Sequence, residues 1–183
     1  FFKDSKIKFP AYEPWISNED KKNVIKTLNQ SMLTLGPQLE KFESDFSKYS
    51  NSKYAIAVSN CTAALHLSLM ALGIKKDDEV IIPDLTFVAD ANAVLACNAK
   101  PVITDINKEN FFLSISNIKK NITKKTKAII PVHIYGQVCN IEEIMDVAKD
   151  NNLKVIEDCA HAIGTFHKSK HVGTLGSTGC FSF

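Results

Sequence analysis

From residue 54 onward the apolar residues come in short unbroken runs, separated by segments with a helical rhythm. The runs are "YAIAV" (54–58), "EVIIP" (79–83), "PVITDI" (101–106), "KAIIPV" (127–132) and "KVIED" (154–158). An unbroken run of this length fits a strand covered on both faces, as in a parallel sheet. Between the runs, "TAALHLSLMALG" (62–73), "TFVADANAVLAC" (86–97) and "IEEIMDVAKDNN" (141–152) read as helices, the first closed by Gly73. Strands alternating with helices predict an α/β fold, a mostly parallel sheet sandwiched by helices. Upstream, Leu39, Phe42, Phe46 and Tyr49 recur at helical spacing, and Ser17 precedes acids as an N-cap should. The pattern divides the chain into residues 1–50, an arm with two helices, and residues 51–183, the α/β domain. The tail "GTFHKSKHVGTLGSTGCFSF" predicts a polar hairpin followed by a short strand.

Bulk composition changes this picture only by exclusion. The chain has 183 residues, a size at which roughly 70% of the unfolded surface is buried. A net charge of +2 gives no electrostatic case for nucleic acid or an acidic membrane. No apolar run approaches the ~20 residues that span a bilayer. The start "FFKDSKIKFP" has neither a methionine nor a signal-peptide pattern, which predicts a trimmed N-terminus and a cytoplasmic protein. Five cysteines, an odd count without a Cys-x-x-Cys, predict free thiols in a reducing compartment rather than disulfides or a zinc knuckle. The lysine-rich "NIKKNITKKTK" (117–127) reads as a solvated helix face and loop.

Ligands of open α/β sheets bind beyond the carboxyl ends of the strands. After "YAIAV" comes "SNCTAA", opening a helix whose free N–H groups suit an anion. Thr62 adds a hydroxyl; equally, Asn60 or Thr62 serves as a plain helix cap. The stretch has neither a dinucleotide glycine fingerprint nor a Walker loop. After "EVIIP" comes Phe87, either a core residue or an aromatic face for a ligand. After "KAIIPV" comes His133, a structural or a catalytic imidazole. After "KVIE" comes Asp158, with His161 three residues on. A carboxylate ending a buried strand is costly without a cationic partner. An anion cradle, an aromatic face, a histidine and a buried acid on one sheet edge would together suit pyridoxal phosphate, whose ring nitrogen wants an Asp.

At these same residues the chain resembles the DegT/DnrJ/EryC1/StrS sugar aminotransferases, which are fold-type I pyridoxal-phosphate enzymes. The matching stretches are "GPQLEKFESDFSKY", "AVSNCTAALHLSLMALGI", "DEVIIPDLTFVADANAV", "PVITDI", "TKAIIPVHIYG", "VIEDCAHAIG" and "GCFSF", in family order and over nearly the whole chain. Within the family it is most similar to perosamine-synthase-type members, which aminate a nucleotide-linked 4-keto-6-deoxy sugar. The resemblance implies that Cys61, Thr62 and the Ala63 amide cradle the cofactor phosphate and that Ser182 adds a second hydroxyl. It implies that Phe87 stacks on the pyridine ring and that His161 lies near the ring hydroxyl. Asp158 would pair with the ring nitrogen, the catalytic contribution of this chain. His133 would lie near cofactor or substrate.

Three positions depart from the family pattern: Cys61 where Gly is usual, Ser177 where Asp is common, and Asp90 where a small or hydroxyl residue is common. The family's Schiff-base lysine follows the "FSF" motif, so the resemblance places it beyond Phe183 and predicts that these 183 residues alone lack transaminase activity. Lys100, Lys127, Lys168 and Lys170 do not replace it, because none stands at a carboxyl strand end where burial lowers an amine's pKa. The implied partners are a nucleotide-linked keto sugar, glutamate as amino donor and a second copy of the chain. The product would feed cell-surface polysaccharide such as O-antigen. Competing readings are a cofactor-dependent sugar dehydratase of the same family, a non-catalytic sensor on the same fold, and a metal hydrolase using His133, Asp158 and His161. A nicotinamide-binding domain is the weakest, lacking the glycine fingerprint.

Overall fold

The computed structural model describes residues 14–183, so much of the expected N-terminal arm lies outside the described residues. The chain forms two compact units, the first ending at Phe42 and the second beginning at Glu43. In the first, α1 (Asn18–Leu28) opens on a reciprocal capping box. The Ser17 hydroxyl accepts from the Asp20 amide at 3.1 Å, and the Asp20 carboxylate accepts from the Ser17 amide at 2.7 Å. The second helix, α2 (Pro37–Ser50), carries the chain from one unit to the next.

The second unit is built on β1 (Glu79–Pro83), β2 (Lys100–Thr104), β3 (Thr126–Ile129), β4 (Lys154–Asp158) and β7 (Thr178–Cys180), all parallel, in the order β2-β1-β3-β4-β7. Two-residue strands β5 (Phe166–His167) and β6 (Lys170–His171) form the expected hairpin. Four helices belong to this unit: α3 (Cys61–Ala71), α4 (Ala89–Ala96), α5 (Ile115–Asn121) and α6 (Ile141–Asp150).

The unbroken apolar runs are explained by period-two alternation into two different cores. Val80, Ile82, Ala128, Ile130, Ile156 and Cys180 face α3 and α4, packing on Leu65, Leu69, Ala93 and Val94. Ile81, Ile129 and Val155 face the other way, onto Ile118 of α5 and Ile144 and Val147 of α6. The edge strand β2 is incompletely covered, with Ile103 64% exposed. Of the 117–127 lysines, Lys119 and Lys120 project from α5, Lys124 and Lys125 from the loop after it and Lys127 from β3, while Ile118 and the half-buried Ile115 anchor that helix.

One expected strand does not form. Residues 54–58 are extended, but no described strand pairs with them, and Tyr54 and Ile56 are 74% and 79% exposed. The Ala57 amide is instead held by the Glu43 carboxylate at 2.8 Å. An apolar run specifies a tendency to extend; a ladder also needs a neighbour, which the run itself does not supply.

The end of α2 is tied to the hairpin and β7 by an aromatic cluster. Phe46 meets Phe181 edge-on at 4.9 Å, and His171 sits edge-on to Phe166 at 5.0 Å and to Tyr49 at 5.4 Å. Beside it the backbone closes tightly. Gly173 has φ +84°, and a Cβ on Gly179 would fall on the Gly173 backbone. Gly179→Ala is therefore expected to cost about 3 kcal/mol of stability, read from the urea midpoint, because backbone on both sides of the clash cannot yield. A midpoint unchanged from the unsubstituted protein would refute the close packing of β7.

Candidate functional site

The helix starts and strand ends meet at one edge of the sheet. Asp158, the last residue of β4, pairs in register with Cys180 of β7. Ser68 of α3 contacts the Cys180 thiol at 3.4 Å, which draws α3 against the same edge. Ser182 lies two residues past Cys180; it is exposed and its hydroxyl has no partner among the described residues.

At the start of α3, Asn60 and not Thr62 is the cap: its side-chain oxygen accepts from the Ala63 amide at 2.8 Å. The Ala63 amide is thus engaged by the Asn60 side chain. The donors left are the first-turn amides of Cys61 and Thr62, which have no intrahelical partner, and the Thr62 hydroxyl. The Cys61 thiol is pushed up to about 12 by burial and by the nearby Asp158 charge, so it stays neutral at physiological pH.

Phe87 is not a core residue. It precedes α4 with 73% of its surface exposed. His161 is exposed and stacks on Tyr135 with ring centroids 5.7 Å apart, its Nδ1 accepting from the Tyr135 amide at 3.4 Å. Tyr135 itself holds a left-handed backbone (φ 53°, ψ 28°) to reach that position.

Asp158 is 4% exposed and accepts from the Ala160 amide at 2.9 Å. Burial raises its pKa; the Ala160 amide, the His161 charge and a hydrogen bond with Asp90 act in the opposite sense without cancelling it. Asp90 on α4 is fully buried, with Oδ2 accepting from the Thr86 hydroxyl at 2.6 Å. Burial, and after it the Asp158 charge, push the Asp90 carboxyl up to about 8, and its Oδ1 has no hydrogen-bond partner among the described residues.

His133 is fully buried, and both of its ring nitrogens are engaged. Nδ1 accepts from the Cys139 amide at 3.2 Å, which puts the ring proton on Nε2, 3.0 Å from the Glu157 carboxylate. The expected contact of His133 with cofactor or substrate is corrected accordingly, since no nitrogen remains for a ligand. Glu157 also accepts from the amides of Gly173 (2.9 Å), Leu175 (2.8 Å) and Gly176 (2.6 Å). Burial alone would raise its pKa, but the bonds from His133, Gly176 and Gly173 hold it below the ordinary carboxylate value. His133, Glu157 and Cys159 lie close enough together to suggest a metal cluster. With four donors already on Glu157 and burial raising the Cys159 thiol well above its usual value, the group is a hydrogen-bonded strut instead. The metal triad of His133, Asp158 and His161 is likewise not formed, because the His133 imidazole turns to Glu157.

Glu157 was missed by sequence reasoning, although a signal was present: it is a second acid inside an otherwise apolar buried strand. The cysteines are free, as expected, with four buried and Cys61 half-buried. Among the described residues no helix is long and apolar enough to cross a membrane.

A buried acid at a strand end, an uncovered aromatic face and a hydroxyl-bearing helix start fit pyridoxal phosphate. When bound, it would supply an electron sink at its pyridinium ring. This arrangement on a parallel sheet flanked by helices defines a fold-type I pyridoxal-phosphate protein. Residues 14–183 match the model of the DegT/DnrJ/EryC1/StrS aminotransferase family, and the chain belongs to it. GDP-perosamine synthase of Escherichia coli O157:H7 is 45% identical over 95% of this chain and 48% of its own length. The aminotransferase of Psychrobacter cryohalolentis is 38% identical, with a TM-score of 0.89 over 94% of this chain and 45% of that one. NtdA of Bacillus subtilis, solved with its cofactor PMP bound, is 38% identical, with a TM-score of 0.79 over 86% of this chain and 37% of that one. The chain therefore spans about half the length of the curated relatives it matches.

Proposed function

We propose that the protein carrying this chain transfers an amino group from glutamate to a nucleotide-linked keto-deoxy sugar, for cell-surface polysaccharide such as O-antigen. What supports this reading is the buried Asp158 ending β4, the exposed Phe87 before α4 and Thr62 in the first turn of α3, in a chain 45% identical to a GDP-perosamine synthase. In it, Thr62 and the free first-turn amides of α3 bind the phosphate, with Ser182 adding a hydroxyl. Phe87 covers one face of the ring. Asp158 holds the ring-nitrogen proton, and His161 faces the ring hydroxyl. The imine-forming amine is none of Lys100, Lys127, Lys168 or Lys170. Lys100 opens β2 and bonds Glu79, while Lys168 bonds Glu142, both remote from the carboxyl strand ends. The working unit is a cytoplasmic homodimer.

The test is an amine-transfer assay of the full-length protein with glutamate against a panel of nucleotide-linked keto sugars. Amino-sugar product with stoichiometric 2-oxoglutarate is the expected result. Dehydration of the sugar without nitrogen incorporation would replace the reading with the dehydratase, and cofactor binding without turnover of any sugar would replace it with the sensor.

A further inference from the structure

We infer that Tyr135 is a positioning residue that holds the His161 imidazole in one orientation and with its hydrogen on Nε2, the nitrogen left for the cofactor's ring oxygen. The inference rests on the role proposed above for His161 and adds what fixes that side chain. Two contacts of different kinds carry it. The Tyr135 ring lies over the imidazole, with centroids 5.7 Å apart and planes 17° from parallel. The Tyr135 amide donates to His161 Nδ1 at 3.4 Å. A neutral imidazole has one acceptor and one donor nitrogen, so an accepting Nδ1 puts the hydrogen on Nε2. Nε2 meets no hydrogen-bond partner among the described residues and remains a donor for an incoming oxygen.

Packing does not explain a tyrosine at this position. Its side chain is 75% exposed, and His161 is the one ring it meets among the described residues. It also keeps its left-handed backbone, which glycine or asparagine would occupy at lower cost. Strain of this kind persists where the surrounding structure over-determines it, and it concentrates at functional sites. The surroundings here are two loops seated directly on each other. At their root, the His133 amide donates to the Asp158 carbonyl at 3.0 Å, and Val132 bridges to Asp158, so the chains leaving β3 and β4 stay paired to the end of β4. Further along, the Thr165 hydroxyl donates to the Gly136 carbonyl at 3.0 Å, and a Cβ on Gly136 would stand 3.4 Å from the His161 carbonyl oxygen. These contacts fix the backbones but not the imidazole, and an exposed side chain otherwise samples several rotamers. Tyr135 supplies the contacts that select one. With its hydrogen on Nδ1, His161 would offer the ring oxygen a lone pair; with it on Nε2, it offers a donor, which suits that oxygen as an anion.

The test uses the full-length protein, first without cofactor. Nitrogen-15 NMR of histidine-labelled protein, at a pH where the imidazole is neutral, should show His161 protonated on Nε2 and bare on Nδ1. A ring with its hydrogen on Nδ1 overturns the inference. The second arm compares affinity for pyridoxal phosphate with that for the analogue bearing hydrogen in place of the ring hydroxyl. His161→Ala should lower the preference for pyridoxal phosphate by about tenfold, the scale of a lost hydrogen bond. Tyr135→Leu should lower it by about fivefold, the scale of one aromatic contact, and Tyr135→Phe should keep it within about twofold. In the His161→Ala background Tyr135→Leu should change the preference no further, because it acts only through the imidazole. A further loss in that background overturns the inference. So does Tyr135→Leu retaining the preference of the unsubstituted protein while His161→Ala loses it. If His161→Ala itself retains the preference, the role proposed for His161 fails and the inference with it. Should Tyr135→Leu not fold, Tyr135→Asn, which lacks the ring and suits the left-handed backbone, takes its place.

Discussion

Glu157→Ala should lower the free energy of unfolding by about 3–5 kcal/mol, because several buried donors lose one shared acceptor at about 1–3 kcal/mol each. Glu157 has no exposed surface, and four donors converge on it: His133 Nε2 and the amides of Gly173, Leu175 and Gly176. Removing the acceptor orphans all of them, each at about 1–3 kcal/mol if it stays dry. Part of the 173–176 loop can open to water, which keeps the total below the sum. Glu157→Gln keeps shape and one acceptor oxygen but turns an NH2 toward groups that are themselves donors, so a smaller loss of about 2 kcal/mol is expected. Urea denaturation measures both; an alanine variant within 1 kcal/mol of the unsubstituted protein, about the worth of one ordinary hydrogen bond, would mean that the strut carries no load. The pH dependence has a definite sign. Because the folded pKa is lowered, this stabilisation is present above the ordinary glutamate value of 4.5 and fades as pH falls through the lowered one.

The second large effect is on chemistry rather than stability. Asp158→Asn should cut amine transfer by about a hundredfold or more, the scale on which a preorganised charge aimed at the reacting group acts. An amide at position 158 keeps the Ala160 contact but carries no charge with which to hold a proton on the ring nitrogen. Stability should not fall in parallel. Two buried carboxyls repel when both ionise, and the Asp158 charge adds to burial in pushing Asp90 up to about 8, so neutralising Asp158 relieves that repulsion. Single-turnover transfer from glutamate, measured beside thermal unfolding of the cofactor-free protein, separates the two quantities. Transfer within about threefold of the unsubstituted protein would remove Asp158 from the ring-nitrogen role, since a charge worth so little would not be acting on the reaction.

Legibility in the sequence followed the physics of each element. β1 and β4 were readable to the residue because both faces of those strands are buried, so the apolar run and the strand coincide. Residues 54–58 carry the same kind of run and form no strand, because pairing depends on a neighbour elsewhere in the fold. In the site, Asp158 stood out because a strand-terminal acid is expensive. His133 looked equally well placed, but its ring nitrogens are bound by Cys139 and Glu157, contacts 6 and 24 residues away that local spacing does not encode. The cap at Asn60, three residues upstream of Ala63, was legible as one of two candidate caps at this helix start. Asp90 was visible as a departure from the family pattern, while its complete burial became visible only when α4 was packed on α3 and the sheet.

The Ser68–Cys180 contact joins residues 112 apart in the chain. The cradle is consequently a product of late, long-range closure rather than of any local segment, since such contacts are formed only after the entropy of large loops has been surrendered. During synthesis the phosphate end of the site, on α3, would leave the ribosome well before the strand that completes it. Until β7 docks, the nascent chain holds a sheet whose β4 edge is open, and that interval is when it most needs shielding from other copies of itself.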